Sequence, residues 1–209
     1  RPRIHSFLPS LLSQGLTIGP AMTAYVYFVT GGSTVKVGMA EAIRGCANVL
    51  LGVPAGVAAD RGPRASVLKV GACVYILAIA STVLALTLSV SRLVLLAVSL
   101  GLWGAASGTS YSALEALFAD SVPTGSRVRI YAIKWQINTA SRGVGPAIAA
   151  VLFTIVGDHW RLSEMRIVIL CGCGLALVAA CLLTLFRDSW ALGATSEAHD
   201  DIDDMTVAL

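Results

Sequence analysis

Six apolar runs, separated by short charged turns, limit what this chain can fold into more than any other feature. They cover residues 7–30, 35–59, 65–88, 93–119, 130–156 and 167–186. A bilayer core about 30 Å thick takes roughly 20 residues of helix to cross, so each run is of spanning length. In lipid no water satisfies the backbone, so a spanning segment must be a helix or a strand of a closed barrel. Barrel strands are shorter and alternate apolar with polar residues, whereas these runs are continuous. The expected fold class is an all-α membrane protein with six transmembrane helices, formed by residues 1–187. Residues 188–209 contain Glu197, Asp200, Asp201, Asp203 and Asp204 and no spanning run. They read as an acidic, disordered cytoplasmic tail or linker.

Composition agrees. The chain is 56% hydrophobic and 13% charged, against about 25% charged in soluble domains. The net charge of +3 is spread over the loops, with no run suited to nucleic acid. Cys46, Cys73, Cys171, Cys173 and Cys181 all lie in apolar runs, and no CxxC occurs. Cys171 and Cys173 stand two apart and so point to different helix faces, which favours packing over a metal or redox site. No cofactor or metal is expected. Walker, HExxH and Rossmann patterns are absent. An intramembrane serine protease would want a Gly-x-Ser-x-Gly turn and a histidine deep in a span, but His5, His159 and His199 fall in loops or tails. The chain is therefore not expected to be an enzyme. It begins with Arg1 rather than Met, which suggests a fragment or a processed product.

Loop charges suggest an orientation. One set of loops holds Arg1, Arg3, Arg61, Arg64, Lys69, Arg127, Arg129 and Arg187; the other holds Lys36, Arg92, Arg161 and Arg166. The positive-inside rule puts the richer set, and with it both termini, in the cytoplasm.

Small residues mark expected close helix contacts. Gly52-x-x-x-Gly56 lies in the second run, and Gly104-x-x-x-Gly108-x-x-x-Ser112 in the fourth. Such stripes let backbones approach.

Polar residues inside the spans are the informative ones, because each is costly unless it faces protein or water. Glu41, Arg44 and Asn48 share a face of the second helix. Glu41 and Arg44 form either a structural ion pair or a cavity-facing pair. The fourth helix offers Trp103, Tyr111 and Glu115. The aromatics are packing or ligand-stacking residues, and Glu115, near the cytoplasmic end, is expected to pair with a nearby loop arginine. In the fifth helix Lys134, Asn138 and Arg142 recur every four residues along one face. Lys134 is placed to snorkel, while Arg142 is deeper and needs a partner or a watery cavity. Apart from Glu115, these residues, eight in all, make up a candidate transport cavity. Gly145 and Pro146 mark a candidate helix bend, since proline removes a helix bond.

The turn Gly56-Val57-Ala58-Ala59-Asp60-Arg61-Gly62-Pro63-Arg64 resembles the loop between the second and third helices of major facilitator superfamily transporters, usually written G-x-x-x-D-R-x-G-R-[KR]. Here Pro63 replaces the later glycine and Ala65 the last basic residue. Ser141-x-x-x-Gly145-Pro146 partly resembles the G-x-x-x-G-P motif of the family's antiporters. The fourth-helix motif with a central arginine is not met, since Leu100, Trp103 and Gly104 stand in that region. The resemblance covers about residues 7–186. It implies a half bundle of two three-helix repeats, the amino-terminal half of a secondary transporter. A similar turn, Ala119-Asp120 followed by Arg127 and Arg129, lies about 60 residues after Ala59-Asp60 and fits such repeats. The implied partners are the lipid bilayer, an unidentified small-molecule substrate and a second six-helix half. Gly56, Asp60, Arg61 and Arg64, with Glu115 and Asp120, would form a conformational latch. In it Asp60 accepts from amides that open a neighbouring helix, and Arg61 or Arg64 reaches Asp120 or Glu115. The other reading is a six-span protein that assembles or senses without transporting.

Overall fold

The structure is a computed structural model and describes residues 19–88, 92–120, 127–156 and 161–184. Among these, the secondary structure is helical throughout: α1 (Pro20–Val29), α2 (Thr34–Arg61), α3 (Arg64–Thr87), α4 (Arg92–Asp120), α5 (Arg127–Val156) and α6 (Leu162–Thr184). Helices α2 to α6 are long and apolar enough to cross a membrane. The described part of α1 has ten residues. The remainder of the first apolar run, and the acidic segment 188–209, lie outside the described residues.

Turn chemistry sets the boundaries. Gly31 and Gly32 have φ of 69° and 84°, the left-handed region that other residues enter at a cost. Their amides bond back to the Phe28 and Tyr27 carbonyls and close α1. Ser33 then caps α2, its hydroxyl accepting from the Lys36 amide at 3.4 Å. Two residues, Gly62 and Pro63, separate α2 from α3. Gly62 donates to the Ala58 carbonyl, and Pro63 precedes the first helical residue, where its fixed φ fits and its missing amide costs nothing. At α6, Glu164 reaches back to accept from the Arg161 amide at 3.2 Å, half of a capping box.

Packing runs from α2 to α4, α4 to α3, α3 to α6, α6 to α1 and from α1 back to α2. The core between them includes Met22, Tyr25, Leu68, Leu86, Leu96, Leu100, Trp103, Met165 and Ile169, all essentially inaccessible. Helix α5 lies beside this group and packs mainly on α6. It continues through Pro146, as α2 does through Pro54. The outward faces of α2 and α5 are apolar, with Val35, Leu50, Val53, Val128 and Ile155 exposed. In water such surfaces would be a liability; in lipid they are in their own solvent.

The glycine stripes do what smallness allows. A Cβ on Gly104 would overlap the Arg44 carbonyl, and one on Gly108 would overlap the Asn48 carbonyl. Gly56 meets the Ser112 side chain at ordinary contact distance. The Ser112 hydroxyl bonds the Gly52 carbonyl at 3.0 Å and its own helix's Gly108 carbonyl at 3.1 Å. Close backbone approach of α2 and α4 therefore rests on these positions.

Candidate functional site

At the end of the bundle holding the 60–64 turn, Arg64 is the organising side chain. It opens α3, yet its Nε donates to the Ala59 carbonyl of α2 at 3.3 Å and its Nη1 to the Ala116 carbonyl of α4 at 3.0 Å. Carbonyls in the last turns of a helix lie at its negative dipole end, so a guanidinium is a natural partner for them. One arginine thus ties three helices together. Asp60 and Arg61 are exposed on the last turn of α2. Gly56, one turn earlier, belongs to the α2–α4 seam. Asp120 ends α4, and its side chain is outside the described ones.

Glu115, expected beside a loop arginine, forms an ion pair with Lys134 of α5 instead, at 2.5 Å. The Lys134 ammonium also lies 4.2 Å from the Phe118 ring centroid and 5.6 Å from that of Tyr131. Those two rings meet edge to face at 5.3 Å. Asn138 follows Lys134 by one turn, and its Oδ1 is buried with no hydrogen-bond partner among the described residues. Tyr111, one turn before Glu115, is exposed. The side chain of Arg142 lies outside the described ones, and Gly145 is buried on α5 beside Pro146.

A second polar group lies toward the opposite end of α2. Arg44 Nε donates to Glu41 Oε2 at 2.7 Å, and Thr23 of α1 donates to Glu41 Oε1 at 3.1 Å. The side chains of Arg44 and Glu41 are 39% and 29% exposed, so the pair is partly open. Asn48, on the next turn, is exposed. The structure therefore brings Glu41 and Arg44 together, and separately Glu115, Lys134 and Asn138, with Tyr111 nearby along α4.

Trp103 stands apart from both groups. It is 1% exposed, stacks edge to face on Tyr75 at 5.6 Å and donates from Nε1 to the Thr82 hydroxyl at 3.0 Å. Thr82 bonds Ser99 at 2.6 Å and the Ala78 carbonyl at 2.7 Å. This buried network pins α3 to α4 and places the indole in the core.

Sequence reasoning missed Thr23, Thr82 and Ser99, and also the Tyr25 hydroxyl, which accepts from Arg166 Nε at 3.3 Å. The only sequence signal for the last pair was a tyrosine and an arginine at matching ends of the first and sixth runs. Among the described residues no group of three or more His, Cys, Asp or Glu is placed to hold a metal ion.

A family model described as Major Facilitator Superfamily matches residues 7–204. Comparison with curated proteins and with solved structures finds no match.

Proposed function

Because the chain belongs to the major facilitator superfamily, we propose that it is the six-helix amino-terminal half of a secondary transporter moving a small molecule by alternating access. Family membership and the five spanning helices make it an integral, multi-pass membrane protein of a transport family. The observation that supports a carrier most directly is the polar line Tyr111, Glu115, Lys134 and Asn138 between α4 and α5, within segments of spanning length. Ionisable groups inside spanning segments are kept where a passage or a moving interface needs them. In this reading the two three-helix units α1–α3 and α4–α6 are repeats, and a second six-helix half, on the same polypeptide or a partner chain, closes the substrate path.

The 60–64 turn acts as the latch. With the termini cytoplasmic, as the loop charges suggest, Arg64 holds the cytoplasmic ends of α2 and α4 while exposed Asp60 is free to dock on the second half. Such contacts break when the inside opens and bias a two-state equilibrium. Cysteines placed as Gly62→Cys and Gly125→Cys should react only with membrane-permeant reagents in intact cells; labelling from outside by an impermeant reagent would overturn the orientation. In proteoliposomes containing both halves, uptake from a panel of labelled organic solutes is expected, and none from the purified six-helix monomer. Uptake by that monomer would refute the half-carrier reading.

A further inference from the structure

The surroundings of Lys134 make a complete site for an alkylammonium ion. A carboxylate oxygen of Glu115 faces its Nζ at 2.5 Å. The Phe118 ring lies under the same nitrogen at 4.2 Å, and the Tyr131 ring, 85° to Phe118, closes a second side at 5.6 Å. One negative charge together with aromatic faces within about 6 Å is the environment that selects cations over neutral or anionic ligands. The chain has filled it with its own lysine.

We propose that this cage is a subsite for organic ammonium substrates, with Lys134 as a tethered resident that the substrate displaces. Three observations carry the proposal. The rim is accessible while the occupant is covered: Tyr131 is 37% exposed and Tyr111, one turn from Glu115, is 54% exposed, and the Lys134 Nζ itself is buried. The occupant is movable, because a lysine ammonium rides on a flexible four-carbon stem and needs no fixed donor geometry. An acceptor also waits for it: Asn138 lies one turn along the same face of α5, and its Oδ1 is buried with no partner among the described residues. Moving Nζ from Glu115 toward Asn138 would empty the cage and satisfy that oxygen in one step. Glu115 stands one residue before the end of its apolar span at Ala116, whose carbonyl Arg64 of the 60–64 turn also reaches, so the cage sits at the end of the bundle that carries that turn. An anionic ligand fits poorly, since the ammonium it would need is already neutralised by Glu115.

To call the ligand a substrate rests on the carrier reading; its binding does not. The test is equilibrium dialysis of radiolabelled tetramethylammonium against the detergent-purified six-helix chain. Lys134→Ala and Lys134→Met remove the resident charge and are expected to bind at least about tenfold more tightly than the parent chain, the equivalent of about 1.4 kcal/mol. Adding Glu115→Gln should remove that gain. Circular dichroism checks that each variant stays helical. In the unmodified chain, saturating tetramethylammonium should raise the acylation rate of Lys134 by an amine reagent, read by mass spectrometry. Binding no tighter in either Lys134 variant, binding indifferent to Glu115→Gln, or an unchanged acylation rate would each reduce the cage to a structural ion pair. Cation binding without flux from the two-half assembly would leave the subsite standing and defeat the carrier; flux of other solutes with no cation binding would do the reverse.

Discussion

Against α2, helix α4 lays backbone on backbone: Gly104 and Gly108 sit so close to the Arg44 and Asn48 carbonyls that a single methyl would overlap them. Against α5 the same helix reaches out with long side chains, and Glu115, Phe118, Tyr131 and Lys134 hold the two together. The first seam has no slack, because a close-packed interior cannot deform by an ångström without losing contacts. The second can change its spacing by rotating a lysine stem. Helices α2 and α4 should therefore move as one body, and α4–α5 is where this bundle can adjust.

The sharpest way to break that contrast is to add one carbon. Gly108→Ala should force α2 and α4 apart and cost about 1–3 kcal/mol, the usual size of overpacking, seen as a lower unfolding temperature in detergent. Gly45→Ala on α2 and Gly143→Ala on α5 meet nothing within 4 Å and should be neutral, or stabilising by up to about 1 kcal/mol from helix propensity. If Gly108→Ala unfolds at the same temperature as Gly45→Ala, the seam is not close-packed and the contrast fails.

Arg64 extends the rigid side of the comparison. Arg64→Ala leaves the Ala59 and Ala116 carbonyls without that donor and is expected to cost about 1.5–3 kcal/mol, the range for bonds to a charged group. Arg64→Lys should recover little, since an ammonium cannot fork to two carbonyls on different helices in the same way. Full recovery by lysine would show that charge alone matters at that turn.

The rigid half of this picture was the more legible in the sequence. Gly52, Gly56, Gly104, Gly108 and Ser112 announce a close approach by size alone, and no partner need be known to read them. Glu41 and Arg44 were legible for the same reason: an i,i+3 pair carries its partner on its own helix. The partner of Glu115 was not. Choosing between a loop arginine and Lys134 requires the register of α4 against α5, which periodicity does not contain. Trp103 pointed toward a cavity because an aromatic in a span reads alike whether it stacks on a ligand or fills a core. What decides it is Thr82 and Ser99, small hydroxyls that ordinarily bond their own helix and so give no sign of a cross-helix role. Tyr25 and Arg166, 141 residues apart, meet only because α1 and α6 pack together.

Trp103 tests whether the α3–α4 contact belongs with the rigid seam. Trp103→Phe keeps most of the ring contact with Tyr75 and removes the indole donor to Thr82. A loss of about 1 kcal/mol is expected, the typical net worth of one hydrogen bond plus a little lost packing. Thr82 keeps its bonds to Ser99 and the Ala78 carbonyl, so the damage should not spread. A loss several times larger would mean that the network is cooperative and the indole its keystone.

The smallest expected effect lies at Glu41, which combines both kinds of contact. Its bond to Arg44 stays within α2, while its bond from Thr23 crosses to α1. Glu41→Gln keeps an oxygen for Thr23 and gives up the ion pair; Glu41→Ala gives up both. Because both side chains are about a third exposed, the ion pair should be worth only about 0.2–0.5 kcal/mol, as for other pairs one turn apart on a helix, and should weaken in salt. The further loss from glutamine to alanine, about 0.5–1.5 kcal/mol, then measures the link between α1 and α2. Unfolding of the two variants at low and high salt separates the terms. If Glu41→Gln costs as much as Glu41→Ala, the charge rather than the Thr23 bond holds α1 in place, and the α1–α2 contact belongs with the adjustable, charge-held seam between α4 and α5.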